Sequence, residues 1–266
     1  MVSKIMTNIL VEIIEHKRAE VEARKAQTPL EGLMEQVQST PPCRDFHAAL
    51  RRQPGAPLKL LAEIKAASPS AGSINNNFNA ADTARLFEDC GAAAVSVLTD
   101  LKYFSGTADH LKEAKAAISL PVLRKDFTID EYQLYEGRVL GADAVLLMAQ
   151  VLPPDEYRAL YDKAYELGLH VLAEGHTEEQ IEFLASLGAQ TIGINNRDFK
   201  TMTVDLDATL SRRRLIPAGR VVVSQSGIFT RDDVLRLESV EVDAVQVGTS
   251  IMKSGDMKQQ ITDLIG

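Results

Sequence analysis

The chain contains no tryptophan and only two cysteines, Cys43 and Cys90. Two thiols this far apart, without metal-type spacing, argue against a disulfide scaffold or a zinc ribbon and fit a reducing cytoplasm. Aromatic residues make up 5% of a sequence that is 45% hydrophobic, so a large core is affordable but must be mainly aliphatic. No apolar run approaches the roughly 20 residues of a membrane span, and the start Met1-Val2-Ser3-Lys4-Ile5-Met6 lacks the apolar centre of a signal peptide. Basic residues are the minority: 29 Lys and Arg against 37 Asp and Glu give a formal charge of −8. That balance argues against a general nucleic-acid binder, although a local cluster of donors can still receive an anionic ligand. A soluble cytoplasmic protein with neither nucleic-acid nor membrane partners is expected. Among His16, His47, His110, His170 and His176 no pair has metal-ligand spacing with a third ligand nearby. These are read as structural or surface residues, and no metal is expected.

What the sequence does have is alternation. Residues 8–26 carry Ile9, Leu10, Ile13, Ile14 and Val21 on one helical face, with Glu, Lys and Arg opposite, and Pro29 ends the pattern. A weaker helix at 30–37 leads to Pro41-Pro42 and then to Phe46-His47-Ala48-Ala49-Leu50. Residues 1–58 are therefore read as a helical extension packed on the main fold. From Leu60 onward, strand patterns at 60–65, 93–98, 121–124, 143–148, 169–174, 191–195, 220–224 and 243–247 alternate with helical patterns at 79–90, 107–117, 130–140, 154–167, 177–187 and 230–238. Gly91-Ala92, Gly141-Ala142 and Gly188-Ala189 mark the helix ends before three of the strands. Eight strands with intervening helices predict an α/β fold, a (β/α)8 TIM barrel spanning 1–266 as a single domain. A doubly wound open sheet is the runner-up, but no G-x-G-x-x-G follows the first strand. The sequence ends at Gly266, soon after the last barrel helix, so no fused second enzyme is expected.

Barrel chemistry collects at the C-terminal ends of the strands, so those positions are the test. Side chains alternate faces along a strand, so Glu63 and Lys65 should point the same way. An unpaired charge in an apolar layer is costly, so the pair is either a satisfied ion pair or the floor of a polar site. Strand three ends in Lys125, strand five in Glu174 and strand six in Asn195. Each has a plain structural reading by itself; together they converge on one mouth, where opposite charges in a partly dry site separate acid and base roles. Ser226-Gly227 and Gly248-Thr249-Ser250 follow strands seven and eight, where barrels bind phosphate with backbone N–H groups. Ser68, in the small-residue turn after strand one, is a further donor.

These same blocks resemble the signatures of the indole-3-glycerol-phosphate synthases: Glu63-Ile64-Lys65 with Ser68-Pro69-Ser70, Ser96-Val97-Leu98-Thr99-Asp100 with Tyr103-Phe104, Leu123-Arg124-Lys125-Asp126-Phe127, Gly193-Ile194-Asn195-Asn196-Arg197-Asp198 and Ser226-Gly227-Ile228. The match runs in order over nearly the whole chain, and the family also carries a helical extension. The resemblance implies closure of 1-(2-carboxyphenylamino)-1-deoxyribulose 5-phosphate to indole-3-glycerol phosphate, with loss of carbon dioxide and water, in tryptophan biosynthesis. It implies a carboxy-lyase with no metal or organic cofactor, and a monomer is expected. It assigns Lys125 as the general acid and Glu174 as the second acid/base. Lys65 would hold the substrate carboxylate, Glu63 would tune the lysines by charge, and Asn195 would orient a substrate hydroxyl. Ser226, Gly227, Gly248, Thr249 and Ser250 would hold the phosphate, with Ser68 and Arg197 as further substrate contacts. Phe104 and Phe127 would wall the anthranilate ring.

Several positions depart from the family pattern. Gln225 stands where Glu is usual before Ser-Gly, which keeps an acceptor but removes a negative charge. Ala66 and Ala71 replace common basic residues, Gly175 replaces a bulkier one, and Gln246 puts an amide into a usually aliphatic strand. The alternatives to the synthase are a weakened or redirected barrel of the same family, a phosphate-ligand binder without turnover, and a related sugar-phosphate isomerase. A phosphoribosylanthranilate isomerase would carry Cys and Asp where Lys65 and Glu174 stand.

Overall fold

A computed structural model describes residues 9–69, 72–74, 78–199 and 201–266. Its eight long strands are β1 (Lys59–Ile64), β2 (Ala94–Leu98), β3 (Val122–Lys125), β4 (Ala144–Met148), β5 (His170–Gly175), β6 (Thr191–Asn195), β7 (Val221–Gln225) and β8 (Ala244–Val247). All are parallel, each pairs with its neighbours in sequence, and β8 returns to β1, so the sheet is a closed barrel. Every strand edge lies within one residue of where the alternation places it.

Period-two alternation sorts the strand residues onto two apolar layers. Leu60, Ala62, Val95, Val97, Val145, Leu147, Val171, Val222 and Val245 pack outward against the helices. Leu61, Ala94, Leu123, Ala144, Leu172, Val221, Val223 and Ala244 fill the barrel interior. The helices outside are α4 (Ala80–Asp89), α6 (Ala108–Ala117), α7 (Glu131–Leu140), α8 (Pro154–Glu166), α9 (Glu178–Leu187) and α11 (Arg231–Glu238). Asn79, Thr107, Asp130, Thr177 and Thr230 accept a hydrogen bond from the first turn of their helices, which fixes where each one starts. Three short segments carry too few apolar repeats to be seen in the sequence: α5 (Leu101–Phe104), α10 (Asp207–Arg212) and α12 (Thr249–Met252). By contrast α13 (Met257–Ile265), with Met257, Ile261, Leu264 and Ile265 on one face, has a helical pattern that is not among those predicted above. No described helix is long and apolar enough to cross a membrane.

The extension holds α1 (Ile9–Gln27), α2 (Leu30–Val37) and α3 (Phe46–Leu50). Phe46 and Leu50 of α3 join the interior cluster with Leu61 and Ala94 and so close one end of the barrel. At the other end, α1 is fastened by a buried charge cluster. Lys17 Nζ lies 2.9 Å from Asp100, 2.9 Å from Asp126 and 2.8 Å from Glu20. Asp126 also accepts from Thr99 (2.8 Å) and from Arg124 (3.2 Å), and Arg124 continues to Glu136 (2.6 Å). Burial works against the charged Lys17 amine, yet Asp126 and Asp100 outweigh it and raise its pKa. Burial likewise favours the neutral Asp126 carboxyl, and Lys17 and Arg124 hold it well below its ordinary value.

Replacing Lys17 by methionine leaves Asp100 and Asp126 buried without their cation. Lys17→Met should therefore lower the unfolding free energy by about 3–5 kcal/mol, measured by urea unfolding at neutral pH. The pH window follows from the two shifts. The Asp126 contribution is complete above its ordinary value of 3.8 and is lost as pH falls through the depressed one. That of Lys17 is complete below 10.5 and is lost as pH rises through the raised one. Between those limits the parent's contribution from both groups is complete, so the Lys17→Met deficit should be at full size at neutral pH; a variant as stable as the parent there would contradict the clamp.

Candidate active site

At the C-terminal ends of the strands the barrel opens into a cavity of about 490 Å³. Its floor is a continuous polar network. Lys65 Nζ donates to Glu63 Oε1 at 2.6 Å, so the two charges that alternation places on one face are indeed paired. Gln246 Nε2 donates to the other Glu63 oxygen at 2.5 Å. Glu174 accepts from Asn195 Nδ2 (3.1 Å) on one oxygen and from Gln225 Nε2 (2.8 Å) on the other. Gln225 Nε2 also donates to Gln246 Oε1 at 2.8 Å, so the two amides bridge the two carboxylates. Lys125 Nζ stands over this bridge, 3.3 Å from Gln246 Oε1, 3.6 Å from Glu174 and 3.8 Å from Glu63.

Both carboxylates are buried, which by itself would push their pKa values up. For Glu63 the charges of Lys65 and Lys125 and the bonds from Lys65 and Gln246 more than offset burial, and its pKa falls. For Glu174 the outcome is the same, through Lys125, His176 and the bonds from Asn195 and Gln225. The site thus holds two ionised carboxylates beside two ammonium groups, a proton donor flanked by proton acceptors.

The rim is built from loops in strained or tight conformations. Ser226 and Gly227 both have positive φ, +67° and +78°. Serine in that region is held there by its surroundings: Asn196 Nδ2 donates to the Ser226 carbonyl (2.9 Å) and to Ser224 Oγ (3.0 Å), while Thr209 anchors the Asn196 oxygen. At Gly248 a side chain would meet Glu63 Oε1 at 2.6 Å, so only glycine lets the β8 loop pass over the floor. The N–H groups of the first turn of α12 follow directly and lack intrahelical acceptors.

The wall opposite the rim is apolar. Phe104 and Phe127 face each other with ring centroids 6.1 Å apart, beside Leu146 and Met148, and α1 contributes Ile9 and Ile13. Every residue singled out from the sequence lines this one cavity: Glu63, Lys65, Ser68, Phe104, Lys125, Phe127, Glu174, Asn195, Arg197, Gln225, Ser226, Gly227, Gly248, Thr249 and Ser250. Besides the apolar wall and the Asn196 brace, polar contributors not assigned a site role from the sequence include Lys253, Gln246 and His176. Lys253 lies at the rim beyond α12, and Gln246 is the bridging amide rather than a mere oddity in an aliphatic strand. His176, read from the sequence as structural or surface, is half-buried, with Nε2 3.5 Å from Glu174 and its ring edge-on to Phe199. Burial lowers its pKa, although Glu174 opposes this.

Of the departures, Gly175 has a packing cause, because a Cβ there would meet Ile181 Cδ1 of α9 at 2.8 Å. Ala66 is buried and its carbonyl accepts from Ile74 (2.8 Å), beside the small hairpin of Ala67–Ser68 and Gly72–Ser73. Ala71 lies outside the described residues.

The chain is similar to known proteins over almost its full length. It matches the family model described as indole-3-glycerol phosphate synthase across residues 10–264. It is 44% identical to an indole-3-glycerol phosphate synthase of Chlorobium phaeobacteroides over 252 residues, covering 95% of this chain and 97% of that one. It is 44% identical to the protein of that name from Albidiferax ferrireducens over 261 residues, covering 97% and 98%. Solved structures of a thiamine phosphate pyrophosphorylase from Pyrococcus furiosus (TM-score 0.57, 16% identity, covering 78% of this chain and 93% of that one) and a 3-hexulose-6-phosphate synthase from Salmonella typhimurium (TM-score 0.62, 14% identity, covering 78% and 96%) share the barrel fold. With the family pattern matched from α1 to α13 around this cavity, the chain belongs to the indole-3-glycerol phosphate synthase family.

Proposed function

We propose that this chain is an indole-3-glycerol phosphate synthase, a carboxy-lyase that closes 1-(2-carboxyphenylamino)-1-deoxyribulose 5-phosphate to indole-3-glycerol phosphate. The observation that carries the reading is Lys125, an ammonium held 3.6 Å from Glu174 and 3.8 Å from Glu63 at the floor of a cavity with one apolar wall. The reaction needs those groups in that place. The ring carbon bearing the carboxylate attacks the ribulose carbonyl, whose oxygen must gain a proton as the C–C bond forms. Lys125 is the donor. Carbon dioxide then leaves, and the ring recovers its aromaticity. The new carbinol hydroxyl then takes up a proton and leaves as water, while the adjacent ring methylene gives up a proton to a base; this completes the indole, which keeps its N–H. Glu174, kept ionised by its partners, acts first as the base in that step.

Binding follows the charge layout. Lys65 receives the substrate carboxylate, with Glu63 holding its ammonium in position. Asn195, fixed by Glu174 and by the Arg197 backbone N–H, orients a ribulose hydroxyl. Ser226, Gly227, Gly248, Thr249 and Ser250 supply donors for the phosphate, with Arg197 and Ser68 at the sides of the mouth. Phe104 and Phe127 flank the anthranilate ring on one side. The redirected barrel and the non-catalytic binder find no support among the relatives, which carry the synthase name.

Turnover of the aminated ribulose phosphate, followed by indole fluorescence, tests the reading. Lys125→Ala and Glu174→Ala should each lower kcat by about 10²–10⁴-fold, the usual contribution of a positioned acid or base. An active parent whose Lys125→Ala variant keeps full kcat would remove the lysine from the mechanism. Asn196→Ala should act differently. It touches no substrate but frees the Ser226 turn, so KM should rise about tenfold, as for one lost hydrogen bond to a charged group, with kcat nearly unchanged. A fall in kcat without a change in KM would place Asn196 with the chemistry instead.

A further inference from the structure

We propose that Gln225 and Gln246 form an interlocked pair of positioning residues that hold Lys125 midway between the two floor carboxylates. Their side chains come from adjacent strands and from directly paired positions in the β7–β8 register. A carboxamide has donors at one end and an acceptor at the other, so its direction matters. Gln246 uses every slot. Its nitrogen donates to Glu63 (2.5 Å) and Ser96 Oγ (3.3 Å), and its oxygen accepts from Gln225 (2.8 Å) and Lys125 (3.3 Å). Gln225 sends its second N–H to Glu174 (2.8 Å).

Neither amide can turn round. Reversing Gln246 would set its oxygen against the Glu63 carboxylate, and reversing Gln225 would set an oxygen against both Glu174 and Gln246 Oε1. The donors therefore run outward from Gln225, one directly to Glu174 and one through Gln246 to Glu63. Both carboxylates are held as acceptors, and the one oxygen left facing Lys125 is neutral. It is also the nearest oxygen to the ammonium among these three groups, at 3.3 Å against 3.6 and 3.8 Å. A lysine so placed is attracted to both carboxylates without closing a tight ion pair with either, which leaves it able to turn toward a third group above it.

The arrangement has a cost that argues for a role. Gln225 Oε1 is buried without a hydrogen-bond partner among the described residues and lies over Gly193, where a Cβ would collide with it. A pair selected for packing alone would not leave that carbonyl open. The pair is also mutually dependent. A carboxylate at position 225 would face two acceptors, Glu174 and Gln246 Oε1. With methionine at 246 the second acceptor is gone, and the new carboxylate is free to meet Lys125.

The kinetic part of the test rests on the synthase reading; the labelling part does not. Gln225→Glu, Gln246→Met and the double variant of the full chain complete a cycle. Gln225→Glu should lower kcat at least about tenfold, and the double variant should recover most of that loss, a coupling within the range of contacting residues. KM should change little. In parallel, the pH dependence of acetic-anhydride labelling at Lys125 is read by mass spectrometry. In Gln246→Met, whose loss of the neutral acceptor lets the ammonium close on a carboxylate, the labelling midpoint should move to higher pH, which a purely structural amide would not cause. An unchanged midpoint, or additive effects on kcat in an active parent, would overturn the proposal. A parent without turnover would end the synthase reading, while the labelling shift would still decide the pair. If Gln225→Glu does not fold, the Gln246→Met profile carries the decision alone.

Discussion

The charged state of Glu63 and Glu174 governs the design of the cavity. Both lie at the end of a barrel whose interior is filled by Leu61, Leu123, Leu172 and Val223, and an isolated carboxylate there would simply take up a proton. Each is instead met by donors on both oxygens: Lys65 and Gln246 for Glu63, Asn195 and Gln225 for Glu174. The donors come from β6, β7, β8 and the end of β1, so the carboxylates depend on barrel closure. An open sheet would leave β8 far from β1, and Gln246 would not reach Glu63.

The same period-two rule feeds a second charge centre. In Arg124-Lys125-Asp126, only the middle residue turns toward the floor network. Arg124 points between the strand and α7, where it meets Glu136 and the Gln133 carbonyl, and Asp126 joins Lys17 of α1. The helix clamp and the floor are thus built from consecutive residues on opposite sides of one strand. Ile13 of α1 is buried in the apolar wall one turn from Lys17. A loss of the clamp would reach the cavity through that wall before it reached the barrel.

Legibility in the sequence followed range. Strand edges and the facing of Glu63 and Lys65 depend on neighbours two residues apart, and these were readable. Lys125, Glu174 and Asn195 could be brought together because the barrel rule sends every strand end to one mouth. Gln246 was visible as a polar residue in an aliphatic strand, but its meaning lies in Glu63, 183 positions away. Asn196 adjoins Asn195 yet braces Ser226, and nothing local distinguishes the two amides. His176 carries no spacing signal because its neighbour Phe199 belongs to a different loop. Helix α10 was missed because six residues with few apolar positions have no measurable period.

Charge sets the direction of traffic through the mouth. The whole chain carries a formal −8, but Lys65, Lys125, Arg197 and Lys253 line the cavity against Glu63, Glu174 and Asp126, the last of these also tied to Lys17 and Arg124. The local excess is positive, and within a Debye length it acts on a ligand more strongly than the distant surface does. A substrate with both a carboxylate and a phosphate meets cations at each end. On the proposed reaction, decarboxylation removes one of those anions and leaves Lys65 with Glu63 as its only carboxylate partner. The product then matches the site less well than the substrate did. Gln225 sharpens this contrast, because a neutral amide at that position adds no third carboxylate to compete with the substrate's own for Lys65 and Lys125.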